Sequence, residues 1–250
     1  MRTVVALVIL SLTTAFAQAA EINALISTAI KSATDELLPP FERANGHTIR
    51  AAYGPSGALL PRFERGDPVD LFLTDTRALG MLIGQGKVLG SPVEIAKTGI
   101  GIAVKKGAPH PDVSTPEALK RALLAAKSVG YASTAGGSIT GGHLLRMFEK
   151  LGIADQIAAK SKFAMGGTDS RVSVLVSSGE AEIGMQQASE LLDNPGVEVI
   201  GMLPAELQQI SIYAGAITAS AKQPDAARAL IALLATPSSQ AVFKAKGLGL

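Results

Sequence analysis

The sequence predicts an α/β fold in which mostly parallel sheets are covered by helices. Two observations lead to this prediction: short apolar segments alternate with amphipathic ones, and turns rich in glycine and hydroxyl side chains separate them. The composition agrees, because 47% of the residues are hydrophobic, 26 are glycine and only 4% are aromatic. A chain of 250 residues is long enough to bury one large core or two smaller ones.

The first twenty residues have the features of a secretory signal. Arg2 supplies a positive charge, Val4 to Leu12 is a short apolar run, and Ala17-Gln18-Ala19 has the small-x-small form of a cleavage site. We therefore expect residues 1–20 to be a cleaved signal peptide and the protein to be periplasmic. The chain has no cysteine, so an exported form would depend on its core and not on disulfides.

Strand and helix patterns alternate from residue 22 onward. Strands are predicted at 22–26, 48–53, 70–74, 98–104, 128–132, 160–165, 181–185, 197–201 and 210–218. Helices are predicted at 29–38, after Ser56, at 78–85, from the cap at 114–117, and at 143–151, 172–178, 224–234 and 238–246. Pro39 and Pro40 are expected to interrupt the first helix. No repeat or linker divides the chain, so we expect separate lobes to be joined by strands, with 98–104 and 210–218 as the candidates.

Helix-starting turns are the main candidates for a ligand site. In the stretch 53–75, YGPSGALLPRFERGDPVDLFLTD, Ser56 and Gly57 precede an amphipathic helix, whose free N–H groups and dipole favour an anion. The simpler interpretation is that Ser56 is only a helix N-cap. Similar turns surround Ser27 and occupy 133–142 and 166–170. All four would gather where parallel strands end.

Hydroxyls in the turn at 133–142 could contact a ligand or only stabilise the loop; they include Ser133, Ser138 and Thr140. Gln187 and its neighbour Gln186 follow a predicted buried strand, where an amide could donate to an oxygen ligand.

Four larger side chains near these turns have simpler interpretations. Arg171 and His143 could pair with a carboxylate, although a surface or packing role is the simpler interpretation of each. Tyr131 and Tyr213 are expected to pack in the core or at a hinge.

Several functional classes are disfavoured by the sequence. The formal net charge of +2 is too balanced to favour nucleic acid or an anionic membrane. The histidines at 47, 110 and 143 lack metal-ligand spacing, and there is no nucleophile-elbow or phosphate-loop motif. We therefore expect no cofactor and no enzymatic activity.

Five segments resemble one known family. They are the stretch 53–75, Ser27-Thr28, STPEAL at 114–119, GEAEIGMQQASELL at 179–192 and TPSSQAVFKAKG at 236–247. Over essentially the whole mature chain the sequence resembles the molybdate-binding proteins, which are periplasmic substrate-binding components of ABC importers. The resemblance implies a two-lobed type II periplasmic-binding-protein fold, with two crossover strands and a ligand cleft between the lobes. It also implies that Ser27 and Ser56, with neighbouring N–H groups, bind oxyanion oxygens.

The same resemblance sets the expected domains and partners. Lobe 1 would comprise 21–100 and 212–250, and lobe 2 would comprise 101–211. The partners would be a small anion and a membrane permease, with no nucleic acid, and the protein would be a monomer. Gln187 stands where the family usually has a tyrosine, and the loop STAGGSITGG at 133–142 is also unusual. A molybdate-like oxyanion and a small organic carboxylate therefore both stay open, as does an adhesion role for the same fold.

Overall fold

The protein is described by a computed structural model, which covers residues 19–165 and 171–249. Most of the expected signal peptide (1–18) and the predicted turn at 166–170 lie outside the described residues.

Two five-stranded sheets organise the described chain. The strands are β1 (Glu21–Ser27), β2 (Thr48–Gly54), β3 (Leu71–Asp75), β4 (Val88–Thr98), β5 (Ile100–Lys105), β6 (Val129–Ala132), β7 (Ser161–Ala164), β8 (Ile183–Gln187), β9 (Val197–Met202) and β10 (Ser211–Thr218). The first sheet has the order β2-β1-β3-β10-β4 and the second β7-β6-β8-β5-β9. The chain passes from the first sheet to the second at Gly99, between β4 and β5, and returns between β9 and β10.

Helices cover both sheets. They are α1 (Lys31–Asn45), α2 (Ser56–Glu64), α3 (Thr76–Gly84), α4 (Pro116–Ala125), α5 (Ile139–Lys150), α6 (Ala154–Ala158), α7 (Val172–Ser178), α8 (Ala188–Leu192), α9 (Pro224–Leu234) and α10 (Pro237–Ala245). Short 3-10 turns at Thr28–Ile30 and Thr134–Gly136 precede α1 and α5. In the described part of the chain, no single helix is long and apolar enough to cross a membrane; α9 and α10 reach that length only together, as a pair bent by 65°.

The two-lobed α/β fold is confirmed, with one lobe around each sheet. In each sheet four of the five strands run in one direction, and the remaining strand, β10 in the first sheet and β5 in the second, runs antiparallel to both of its neighbours. The parallel pairs are β1 with β2 and β3, and β6 with β7 and β8. The residue boundaries of the two lobes stay a prediction.

Each sheet carries apolar residues on both faces. On the first sheet, Ile22 and Leu73 belong to one buried cluster and Leu25 and Phe72 to another. On the second sheet, Ile102 and Ala103 divide in the same way. This alternation along each strand places helices on both faces and leaves the strand ends open to hold a site.

The first helix was predicted to be interrupted at its two prolines, and that prediction was wrong. Pro39 and Pro40 lie inside α1, which ends at Gly46 in the left-handed conformation. A proline leaves the carbonyl four residues earlier without its helical donor. Here those carbonyls belong to Asp35 and Glu36, which are exposed, so water can satisfy them. Buried Leu38 and Phe41 flank the prolines and hold the helix against the sheet.

Strand β4 was not recognised before Thr98. Gly90 and Pro92 interrupt its pattern, and Gly90 has a positive φ of 68°. Because β4 is the edge strand of its sheet, a proline and an irregular register are tolerated there. Helix α5 also begins earlier than predicted, at Ile139 and not at 143, because Ser138 caps it by accepting from the Gly141 N–H at 3.0 Å.

Candidate functional site

A cleft between the two sheets collects polar side chains from both lobes. The parallel strands β1, β2 and β3 of the first sheet and β6 and β8 of the second all end on this side, so the turns that follow them face one another. The cleft has a volume of about 40 Å³. Seven of the eight predicted ligand residues line it: Ser27, Ser56, Ser133, Ser138, Thr140, Arg171 and Gln187. That they bind a ligand stays a prediction.

Ser27 and Ser56 form the first-lobe wall. Both are buried, with 2% and 8% of their surface exposed. Ser56 is not the cap of α2: Pro55 holds the cap position, and the Ser56 hydroxyl donates to Ser27 Oγ at 3.1 Å. Ser27 Oγ also accepts from the Ala29 N–H at 3.4 Å. With its acceptor sites used in this way, Ser27 has its own hydroxyl hydrogen to offer to the cleft.

The second-lobe wall is built by the turn before α5. Ser133 and Ser138 each accept a backbone N–H, so both serve as local caps, as the loop-stabilising interpretation expected. Ile139 and Thr140 are the first two residues of α5 and line the cleft. Backbone N–H groups in a first helical turn have no intrahelical acceptor. The N–H groups of Ile139, Thr140 and, on the first lobe, Ser56 are therefore donors suited to an anion.

Gly57 has a different place from the one expected. It does not line the cleft; its N–H donates to the Gly137 carbonyl of the second lobe at 3.2 Å. A second cross-lobe bond joins the Ser189 hydroxyl to the Ala29 carbonyl at 2.7 Å. Both contacts join one lobe directly to the other, so Gly57 is placed to hold the lobes together.

Gln187 links three elements that line the cleft: β8, which carries it, α5 and β10. It is the last residue of β8 and not a loop residue, and its amide donates to Thr140 at 3.0 Å and to Ser211 at 2.8 Å. Its Oε1 is buried and has no hydrogen-bond partner among the described residues. Gln186, one residue earlier, instead accepts from the Val172 N–H at 3.1 Å.

Two carboxyl side chains of the cleft, Glu190 and Asp75, were missed by the sequence analysis, and Tyr213 was named there only for packing. Glu190 lines the cleft, and burial raises the pKa of its carboxyl to about 7, although the nearby Thr28 and Gln186 side chains act to lower it. Asp75 is 2% exposed; its Oδ1 caps α3 through the Arg77 N–H at 2.8 Å, and its Oδ2 is without a partner in the described chain. Tyr213, expected to pack only, is buried in the core and also lines the cleft, and burial raises the pKa of its phenol well above the ordinary value.

Of the two candidate cationic side chains, Arg171 and His143, Arg171 lies in the cleft and His143 lies elsewhere. Arg171 lines the cleft and pairs with Asp193 at 2.6 Å. His143 lies elsewhere, with a ring nitrogen 2.7 Å from the Leu207 carbonyl, as its packing interpretation expected. Tyr131 is a core residue that hydrogen-bonds with Ser161 at 2.8 Å. Within residues 19–165 and 171–249, no group of three or more His, Asp or Glu side chains is arranged to hold a metal ion.

Comparison with known proteins identifies the family. The family model of bacterial extracellular solute-binding proteins matches residues 22–249. The chain belongs to this family. The match confirms the resemblance seen in the sequence and extends over both lobes of this solute-binding protein.

Two relatives are named for different functions. The solute-binding protein is 32% identical to an aconitate isomerase of Pseudomonas sp over 234 residues, covering 91% of this chain and 87% of the relative. It is 29% identical to the molybdate-binding protein of Azotobacter vinelandii over 243 residues, covering 94% and 92%. Both alignments span nearly the whole of each chain, so neither relative is matched through one lobe alone.

Solved structures support the same fold. The periplasmic molybdate-binding protein of Azotobacter vinelandii superposes with a TM-score of 0.75 at 18% identity, covering 92% of this chain and 99% of the other. The tungstate ABC transporter structure from Geobacter sulfurreducens gives 0.68 at 18% identity, covering 90% and 98%. At this identity the likeness concerns the fold.

Proposed function

We propose that this protein binds a small anion between its two lobes and delivers it to the permease of an ABC importer. The observation that carries the proposal is the composition of the cleft. Hydroxyls and first-turn N–H groups from both lobes surround one small space, and among the described residues that line it Arg171 is the cationic side chain. Neutral donors of this kind bind an anion while excluding bulk water. The chain would be exported, as its first twenty residues predict, and would act as a monomer without cofactor.

The first candidate ligand is a tetrahedral oxyanion such as molybdate or tungstate. The cleft volume of about 40 Å³ supports a small ligand. A single water needs about 10–15 Å³ by the same measure, so the space suits about three water-sized groups. The Ser27 hydroxyl and the Ser56, Ile139 and Thr140 N–H groups would each reach a different oxygen. The relation to a molybdate-binding protein agrees with this candidate.

The second candidate is a small organic carboxylate. Arg171 favours it, because a guanidinium matches a carboxylate through two parallel hydrogen bonds. The relative named aconitate isomerase points the same way. Glu190, with a pKa of about 7, is a group that could also exchange protons with a bound molecule. We propose binding without chemistry as the function, in keeping with the solute-binding family.

Calorimetric titration separates the candidates. The protein without residues 1–20 would be titrated with molybdate, tungstate, sulfate, citrate and trans-aconitate. Tight one-to-one binding of molybdate or tungstate alone supports the first candidate, and binding of the carboxylates alone supports the second. Proton NMR of trans-aconitate incubated with the protein tests for conversion. A new set of olefinic signals that grows with protein concentration would refute a purely binding role.

A further inference from the structure

The anion cleft contains carboxyl groups, and this is unexpected for a site that holds negative charge. Glu190 lines the cleft beside Arg171, and Asp75 lies across it at the end of β3. A carboxylate and an anion in one enclosed site repel each other strongly, because the local dielectric constant is low. An acid that carries its proton removes the repulsion and becomes a hydrogen-bond donor.

We propose that Glu190 acts in the cleft as a neutral acid that donates a hydrogen bond to the bound anion, so that capture of the anion is coupled to uptake of one proton at Glu190. This inference rests on the proposed function. It makes Glu190 a specificity residue: the cleft would accept an anion that can receive a hydrogen at this position, and its affinity would depend on pH.

Geometry distinguishes Glu190 from its surroundings. Its carboxyl lines the cleft, close enough to the Thr28 side chain of the first lobe and to the Gln186 side chain of β8 for both to act to lower its pKa. The short helix α8 that carries it packs against the 3-10 turn after β1, and Ser189 bonds across to Ala29. Glu190 is therefore held at the seam where the lobes meet.

The charged and titratable groups around Glu190 do not offset the effect of burial, which favours its protonated form. Arg171 at the start of α7 favours the carboxylate, but Arg171 pairs with Asp193, which has the opposite effect on Glu190. Tyr213 on β10 and Asp75 on β3 line the same cleft. The charges of Glu190 and Asp75 both act to raise the pKa of Tyr213. Among the described residues, the cation that lines the cleft is therefore shared between Asp193 and Glu190. Burial dominates, which is why its pKa lies at about 7 before a second negative charge arrives.

Thermodynamic linkage fixes the direction of the effect. An anion that prefers the protonated form raises the pKa of Glu190 further in the complex. Binding is then constant in pH below about 7 and weakens above it, because the proton must be taken from solution. The dissociation constant should rise about tenfold for each pH unit between the free and the bound pKa values.

The test compares the wild type with two matched variants, Glu190→Gln and Asp75→Asn. Glutamine is a permanent neutral donor at the same position, and asparagine retains the capping of α3. Molybdate, sulfate and citrate serve as probes. They are titrated from roughly pH 5.5 to 8.5, a range that brackets the pKa of about 7 of Glu190. The ratio of wild-type to Glu190→Gln dissociation constants cancels the titration of the probe itself. Circular dichroism verifies that each variant is folded.

We expect the ratio to rise about tenfold per pH unit above about pH 7 and to be flat below it. Asp75→Asn should retain the wild-type pH slope. Calorimetry in two buffers of different ionisation enthalpy should show uptake of about one proton per anion near pH 8 in the wild type and none in Glu190→Gln.

Two results would overturn the inference while leaving the proposed function intact: a ratio that does not change with pH, or a pH slope that disappears in Asp75→Asn and persists in Glu190→Gln. If no probe binds at any pH, the proposed function fails, and this inference fails with it.

Discussion

Adding one methyl group at Gly57 should prevent full closure of the lobes. The Cβ of an alanine there would lie 2.7 Å from the Gly137 carbonyl oxygen across the cleft. That oxygen belongs to the backbone and cannot rotate away, and it now accepts the Gly57 N–H at 3.2 Å. Overpacking of this kind costs about 1–3 kcal/mol, so Gly57→Ala should weaken anion binding about tenfold to a hundredfold.

The perturbation is confined to the closed arrangement. Gly57 lies in the first turn of α2 without a positive φ, so alanine suits the local backbone and does not unfold the helix. Gly80→Ala is the matched control, because Gly80 lies in α3 with nothing within 4 Å of an added Cβ. Calorimetry would measure affinity, and small-angle scattering would measure compaction under saturating anion. If Gly57→Ala binds and compacts as Gly80→Ala does, the cross-lobe contact has no part in capture.

Three further predictions concern the cleft itself. Ser56→Ala should weaken binding of the preferred anion by about 1.5–3 kcal/mol, since a hydrogen bond to a charged group is lost, while melting of the empty protein changes little; unaltered affinity by calorimetry would remove Ser56 from the site. Arg171→Lys should change the dissociation constant of molybdate less than about threefold, whereas a carboxylate held through paired hydrogen bonds should lose about tenfold or more, so the two ratios together identify the ligand class. Glu190→Gln should stabilise the empty protein at about pH 8 by as much as about 3 kcal/mol and have no effect below pH 4.5. The reason is that a folded-state pKa raised from 4.5 to about 7 makes the wild type lose stability as pH rises between those values. Urea midpoints of the variant and the wild type that are equal at both pH values would contradict this.

The regular elements could be predicted from sequence because local signals specify them. Helices α7 and α9 have the predicted bounds, 172–178 and 224–234. The mixed direction of the sheets could not be predicted in the same way, since the antiparallel pairing of β10 with β3 joins residues far apart in the chain. Edge strand β4 was hidden by Gly90 and Pro92, which an edge position tolerates.

The site was predictable where its chemistry depends on local features. Ser27 and Ser56 precede helices after strand ends, which is a local pattern, and the structure places them 3.1 Å apart at their hydroxyl oxygens. Glu190 has no such pattern: in the sequence it is one acid in SELL, and only the packing of α8 against the first lobe brings it to the cleft. A signal was available in the polar cluster from Gln186 to Glu190 directly after an apolar strand.

A crystal structure of the protein with the tightest-binding anion would show directly whether both lobes hold the ligand. We predict one anion in the cleft between the lobes, with its oxygens within hydrogen-bond distance of the Ser27 hydroxyl and of first-turn N–H groups at Ser56 and Thr140. Donors from both lobes must contact the same anion. An anion bound outside this cleft, for example beside His143 and Arg146, or held by one lobe alone, would contradict capture between the lobes.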